Sequence, residues 1–109
     1  MCIRDSLIEC DLIIGCVDKF CIRRDLEAFC RRHMIPYIDL GMDVQRFDNR
    51  KHEIFGQVIL SMPGHVCMKC MGFLTDKVLG KEAEKYGDAG GKPQVVWPNA
   101  IIALSLIHI

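Results

Sequence analysis

Cys67 and Cys70 stand two residues apart in the stretch SMPGHVCMKCMGFL. A Cys-x-x-Cys turn can hold half of a tetrahedral zinc site, and structural zinc sites take four protein ligands. No cysteine comes after Cys70, and the one later histidine is His108, so the residues beyond Cys70 do not supply the other half of such a site. Redox chemistry is a second reading, because Lys69 between the thiols would lower a thiol pKa. Against it, the pair follows a strand of antiparallel character, whereas a thioredoxin-like motif opens a βαβ unit. Plain burial is the third reading.

Asp18, at the end of the run DLIIGCVD, is the second candidate. Ligands of open α/β sheets bind at the carboxyl ends of the strands, and an oxygen ligand there suits magnesium beside nucleotide phosphates. An Asp at a strand-to-helix junction is also a good helix N-cap, and position alone favours the cap. Arg23, early in the following helix, can reach back to pair with a carboxylate or a phosphate; the plain alternative is a solvated helix face. Asp39 and Asp43 flank LGM on the next strand. Asp43 can point into the same crevice, Asp39 falls mid-strand, and turn or capping roles are the default for both.

The elements that must position these residues follow from periodicity. Asp11–Val17 is a near-continuous apolar run, read as a strand buried on both faces in a parallel sheet. A helix is predicted from about Phe20 to His33, with Ile22, Leu26, Phe29 and Cys30 on its core side and Arg23, Arg24, Glu27, Arg31 and Arg32 on the other. Pro36–Met42 is the next strand, which makes a βαβ unit with parallel pairing. The polar stretch 43–53 reads as a turn. Phe55–Met62 then adds an antiparallel strand, with Gly56 marking a bulge. Thr75 is the expected N-cap of a helix that ends at Gly87, residues 87–94 form a loop, and VVWPNAIIA opens another helix.

The two ends of the chain, MCIRDS and LSLIHI, translate one short DNA sequence read in opposite orientations. Back-translating LSLIHI and taking the reverse complement gives an ATG frame that reads Met-Cys-Ile-Arg-Asp. The DNA matches a transposon end used to fragment DNA for sequencing. Residues 1–6 and 104–109 are therefore set aside as sequencing-tag artefact, with no consistent packing role expected of them. Residues 7–103 are expected to be an internal piece of a longer gene product, and the missing zinc ligands to lie beyond the cut.

Fourteen basic residues balance fourteen acidic ones, so no global field points to nucleic acid. No apolar run has the length of a membrane span. Outside the tag, Cys10, Cys16, Cys21 and Cys30 fall in apolar patterns where cysteine behaves as a small buried hydrophobe. That spacing suits a reducing cytoplasm better than a disulfide framework.

In order and spacing these pieces resemble the ThiF/MoeB/HesA family, relatives of the ubiquitin-activating enzymes. The resemblance rests on IIGCVD, then DKFCIRR, IPYIDLGMDV, GQVILSMPG and CMKC, and it covers nearly all of residues 7–103. It implies an α/β, partial Rossmann-like fold with parallel strands, an antiparallel strand addition and a CxxC knuckle. It further implies that Asp18 serves ATP and Mg2+, with Arg23 in the same Asp-x-x-x-x-Arg pattern, and that Cys67 and Cys70 open a structural Zn2+ site. The implied activity is adenylation of the C-terminal carboxylate of a ubiquitin-like or sulfur-carrier protein, by an enzyme that is a homodimer when intact. The sequence departs from the family at Lys19 and Glu27, where members often have Asn. The Gly-rich nucleotide loop and its basic partners belong upstream of Leu7, and the second CxxC downstream of Ala103. Residues 71–103 hold no cysteine, so a thioester position in that loop is empty, which points to adenylation alone or to a thiol elsewhere. Two other readings stand beside this one: a zinc-stabilised protein-binding module in which Asp18 is only a cap, and a piece of another Rossmann-type enzyme such as a dehydrogenase.

Overall fold

The computed structural model describes residues 3–46, 52–84 and 96–108. Three strands, β1 (Ile13–Gly15), β2 (Tyr37–Arg46) and β3 (His52–Ser61), form a mixed sheet in the order β1–β2–β3. The helices are α1 (Ile3–Leu7), α2 (Phe20–Arg32), α3 (Asp76–Glu84) and α4 (Val96–Ser105). β1 lies parallel to β2, with Ile13 opposite Tyr37, and α2 links them. β3 is antiparallel to β2. The chain is thus mixed α/β, with the parallel crossover and the antiparallel addition that the sequence predicts.

The strand limits differ from expectation in physically instructive ways. β1 is three residues long, not Asp11–Val17. The Val17 carbonyl accepts two hydrogen bonds from the Arg23 side chain, which turns the chain out of the ladder. Nor is β1 buried on both faces: Ile13 is buried, but Ile14 is 48% exposed. β2 and β3 run on through the polar stretch read as a turn, with Asp43 opposite Phe55 and Arg46 opposite His52. A two-stranded antiparallel ribbon tolerates polar residues because one or both faces meet water. Gly56 pairs with Met42 in unbroken register, so it is no bulge. A side chain at Gly56 would instead collide with Ile102 of α4.

Strand alternation assigns the two faces of the sheet. Tyr37, Asp39 and Gly41, with their partners Ser61, Ile59 and Gln57, face α2. Ile38, Leu40 and Met42 lie on the opposite face with Gly56, where α4 supplies Ile102. The core on the α2 side contains Ile13, Cys30, Ile35, Tyr37, Met68 and Leu74.

α2 is turned differently from its predicted orientation. Its buried residues are Arg23, Glu27 and Cys30, whereas Ile22 is 42% exposed and Leu26 and Phe29 are half-buried. Burying two charges is tolerable only when each has partners, and both Arg23 and Glu27 have them. Ile22, Leu26 and Phe29 line a groove of about 680 Å³ together with Asp5, Leu7 and Ile8. Asp5 of the leading segment borders this groove and is itself exposed. Cys16, expected in the core, is exposed.

Thr75 caps α3 as predicted, its Oγ1 accepting the Val78 N–H at 3.3 Å. Gly87 and the 87–94 loop lie outside the described residues. No described helix is long and apolar enough to cross a membrane.

Candidate functional site

Two places collect the candidate residues. The first is the β1–α2 connection. Asp18 lies in it, past the carboxyl end of β1, and is exposed. It is not the helix cap. Lys19 occupies the N-cap position in extended backbone, and no side-chain hydrogen bond closes that end of α2.

Arg23, one turn into α2, is 4% exposed, so the solvated-face alternative is excluded. Its Nη1 donates to Asp39 Oδ2 at 2.8 Å. Its Nε and Nη2 donate to the Val17 carbonyl at 3.1 and 2.7 Å. With its amide oriented to satisfy both neighbours, Gln57 accepts from Nη1 as well and donates to the Gly41 carbonyl at 3.3 Å. Phe20 and Phe73 cover the guanidinium, whose central carbon is 5.3 and 6.0 Å from the two ring centroids. Gly41 leaves the room beneath: a Cβ there would strike the guanidinium.

Asp39 is fully buried and also accepts the Tyr37 hydroxyl at 3.0 Å. Burial raises the Asp39 carboxyl above its ordinary range, and Arg23, Tyr37 and Gln57 draw it part of the way back. Burial, followed by the Asp39 charge, pushes the Tyr37 phenol well up. Asp39 therefore has a definite place, as the counter-charge of Arg23. The Asp43 side chain lies outside the described part of the structure.

The second place is the turn after β3. Met68 is fully buried in the core while Cys67 is half-buried and Cys70 exposed. The two sulfurs are 3.3 Å apart. The Cys70 N–H points at Cys67 Sγ at 3.4 Å, the Met71 N–H donates to the Cys67 carbonyl at 2.9 Å, and the Gly72 N–H donates to the Lys69 carbonyl at 3.0 Å. Gly72 completes the turn with φ of +80°, a conformation that suits glycine. The hydrogen bonds from Cys70, backbone first, lower the Cys67 thiol pKa. Two thiolates on one tetrahedral zinc at about 2.3 Å each stand about 3.8 Å apart, so a slight opening of this turn fits an ion. Among the described residues no group of three or more His, Cys, Asp or Glu could hold a metal ion; Cys67 and Cys70 bring two thiols together.

No family model, curated protein or solved structure matches this chain.

Sequence reasoning missed Glu27. Its Oε1 accepts the Ser61 hydroxyl at 2.6 Å and the Met68 N–H at 2.8 Å. Arg31, one turn on, donates to Ser61 Oγ at 3.1 Å, to the Met62 carbonyl at 3.2 Å and to the His65 carbonyl. One face of α2 therefore holds both candidate places, Arg23 at the first and Glu27 with Arg31 at the second. The signal in the sequence was the spacing of Arg23, Glu27 and Arg31, four residues apart, which is itself a helical stripe. Their charges argued for solvent and hid it.

Proposed function

We propose that this chain is a piece of a ThiF-type enzyme that uses Mg·ATP to adenylate the C-terminal carboxylate of a ubiquitin-like or sulfur-carrier protein. The observation that carries the reading is the β1–α2 connection. Asp18 is exposed at the carboxyl end of a parallel strand and is not engaged in capping the helix, while buried Arg23 clamps the carbonyl of the preceding residue. The parallel β1–β2 pair joined through α2, with β3 added antiparallel, is compatible with part of a Rossmann-like sheet. Ligands of such sheets sit beyond the strand carboxyl ends, where Asp18 lies.

In this reading Asp18 holds the magnesium of the bound nucleotide, an ion that neutralises charge on the transferring phosphates. Arg23, its donors directed to Asp39 and Val17, acts as a positioning residue that fixes the loop carrying Asp18. Cys67 and Cys70 would hold half of a structural zinc site, which stabilises the fold when bound. The product is an acyl-adenylate. With no cysteine in residues 71–103, this stretch offers no thioester acceptor. The intact protein is proposed to be a cytoplasmic homodimer.

The test is exchange of pyrophosphate into ATP by the gene product that contains residues 7–103, with its carrier protein present. Asp18→Ala is expected to lower exchange by several orders of magnitude. The 109-residue chain alone, without a phosphate-cradling glycine loop, is expected to give none. Exchange undiminished by Asp18→Ala overturns the assignment.

A further inference from the structure

The hydrogen bond from the Met68 N–H to Glu27 Oε1, at 2.8 Å, is a contact between a side chain of α2 and the backbone inside the Cys67–Cys70 turn. Glu27 is 5% exposed. The same oxygen takes the Ser61 hydroxyl at 2.6 Å, which places the end of β3 and the turn on one carboxylate. Arg31 holds Ser61 Oγ and the Met62 carbonyl from the same helix. A buried charge is retained in a small core only with partners of this kind, and here those partners belong to the segment that presents the thiols.

We propose that Glu27 is the positioning residue of the thiol pair. Its carboxylate fixes the Met68 amide, Met68 anchors in the core, and Cys67 and Cys70 are thereby held facing one point. The inference deepens the assignment of Cys67 and Cys70 as ligands of one soft metal ion, and it rests on that reading. It also makes α2 a rigid link between that ion and the Asp18 loop, since Arg23 and Glu27 are one turn apart on it.

The geometry is tested without relying on zinc. Phenylarsine oxide bridges two thiols through one arsenic, releasing water, and reports whether the sulfurs converge. On the 109-residue chain, Glu27→Ala is expected to weaken phenylarsine oxide binding at the Cys67–Cys70 pair by about tenfold, the scale of losing a hydrogen bond to a charged acceptor. Glu27→Gln, which keeps an acceptor oxygen, is expected to recover most of that loss. Circular dichroism and protection of the Tyr37 amide from exchange serve as controls for folding. Should Glu27→Ala unfold, Glu27→Asp, which withdraws the carboxylate by one methylene, is read in its place with the same expected direction. Unchanged arsenical affinity in folded Glu27→Ala, or in Glu27→Asp where it is read instead, overturns the proposal. A parallel titration with Cd2+, followed by sulfur-to-metal absorption, separates the two ideas. A fall in arsenical affinity in a chain that takes up no Cd2+ supports the positioning role and removes the metal assignment instead.

Discussion

At the β1–α2 connection side chains set the shape of the site, and at the Cys67–Cys70 turn main-chain hydrogen bonds set it, with the Glu27 carboxylate holding the turn from outside through the Met68 amide. Arg23, Asp39, Tyr37 and Gln57 hold one another beneath Phe20 and Phe73, and their donors and acceptors are directed inward. Asp18 is left facing solvent, as are Cys16 and Lys19 beside it. The thiol turn inverts this. Its amides and Gly72 set the shape, Met68 is the one side chain driven into the core, and the thiols remain accessible. The difference separates two ways of making a polar group available. One surrounds it with mutually satisfied charges, and the other curls the main chain around it.

The largest effect should come from breaking the first network. Arg23→Ala leaves the Asp39 carboxylate buried without its partner, and removing one member of a buried pair costs about 3–5 kcal/mol. Urea unfolding should show that loss, and the double change Arg23→Met with Asp39→Leu should recover much of it. A loss below about 1 kcal/mol would place the pair among solvent-screened ones. The same network should resist crowding. A side chain at Gly15 would run into the Tyr37 hydroxyl, so Gly15→Ala is expected to cost about 1–3 kcal/mol, read as a lowered thermal midpoint.

The thiols of Cys67 and Cys30 should respond to pH with midpoints displaced in opposite directions. In the metal-free chain, alkylation of Cys67 should rise with pH at a midpoint below that of an ordinary thiol, because hydrogen bonds from Cys70 favour its thiolate. Cys30, whose thiol is pushed up by burial and then by Glu27, should label only at higher pH. Urea should move the Cys67 midpoint up and that of Cys30 down. By linkage, the lowered Cys67 value contributes stability above the unfolded thiol pKa, and that contribution is lost as pH falls through the folded value. Mass spectrometry of the labelled chain follows both sites, and equal labelling of Cys30 and Cys67 in the folded chain contradicts the burial pattern. The smallest effect joins the two regions: Phe73→Leu removes the 5.7 Å ring contact with Phe20 and is expected to cost about 0.5–1.5 kcal/mol beyond lost area.

The order of elements was legible because it follows from runs of apolar residues and from Pro36 and Thr75. The parallel partner of β1 and the antiparallel β3 both came from that order. The orientation of α2 was not legible, since hydrophobic periodicity assumes that charges face water. Here Arg23 and Glu27 find partners on β2, on β3 and in the turn, all distant in sequence, and tertiary pairing overrides the pattern. Asp39 was equally hidden, because a mid-strand carboxylate is explained only by the guanidinium above it. Asp18 was placed correctly beyond the carboxyl end of β1, but its capping role was misread. The N-cap falls one residue later, at Lys19, two residues after the Val17 carbonyl that Arg23 holds.

That shift makes Asp18→Asn the most direct test of the proposed function. Asparagine keeps the size and hydrogen-bonding capacity of the side chain and removes only the charge. In the gene product that contains residues 7–103, assayed with its carrier protein, Asp18→Asn is predicted to fall nearly as far as Asp18→Ala in pyrophosphate exchange while unfolding at the wild-type urea midpoint. Full exchange by Asp18→Asn would contradict the account, because the carboxylate charge would then have no part in holding the magnesium of ATP.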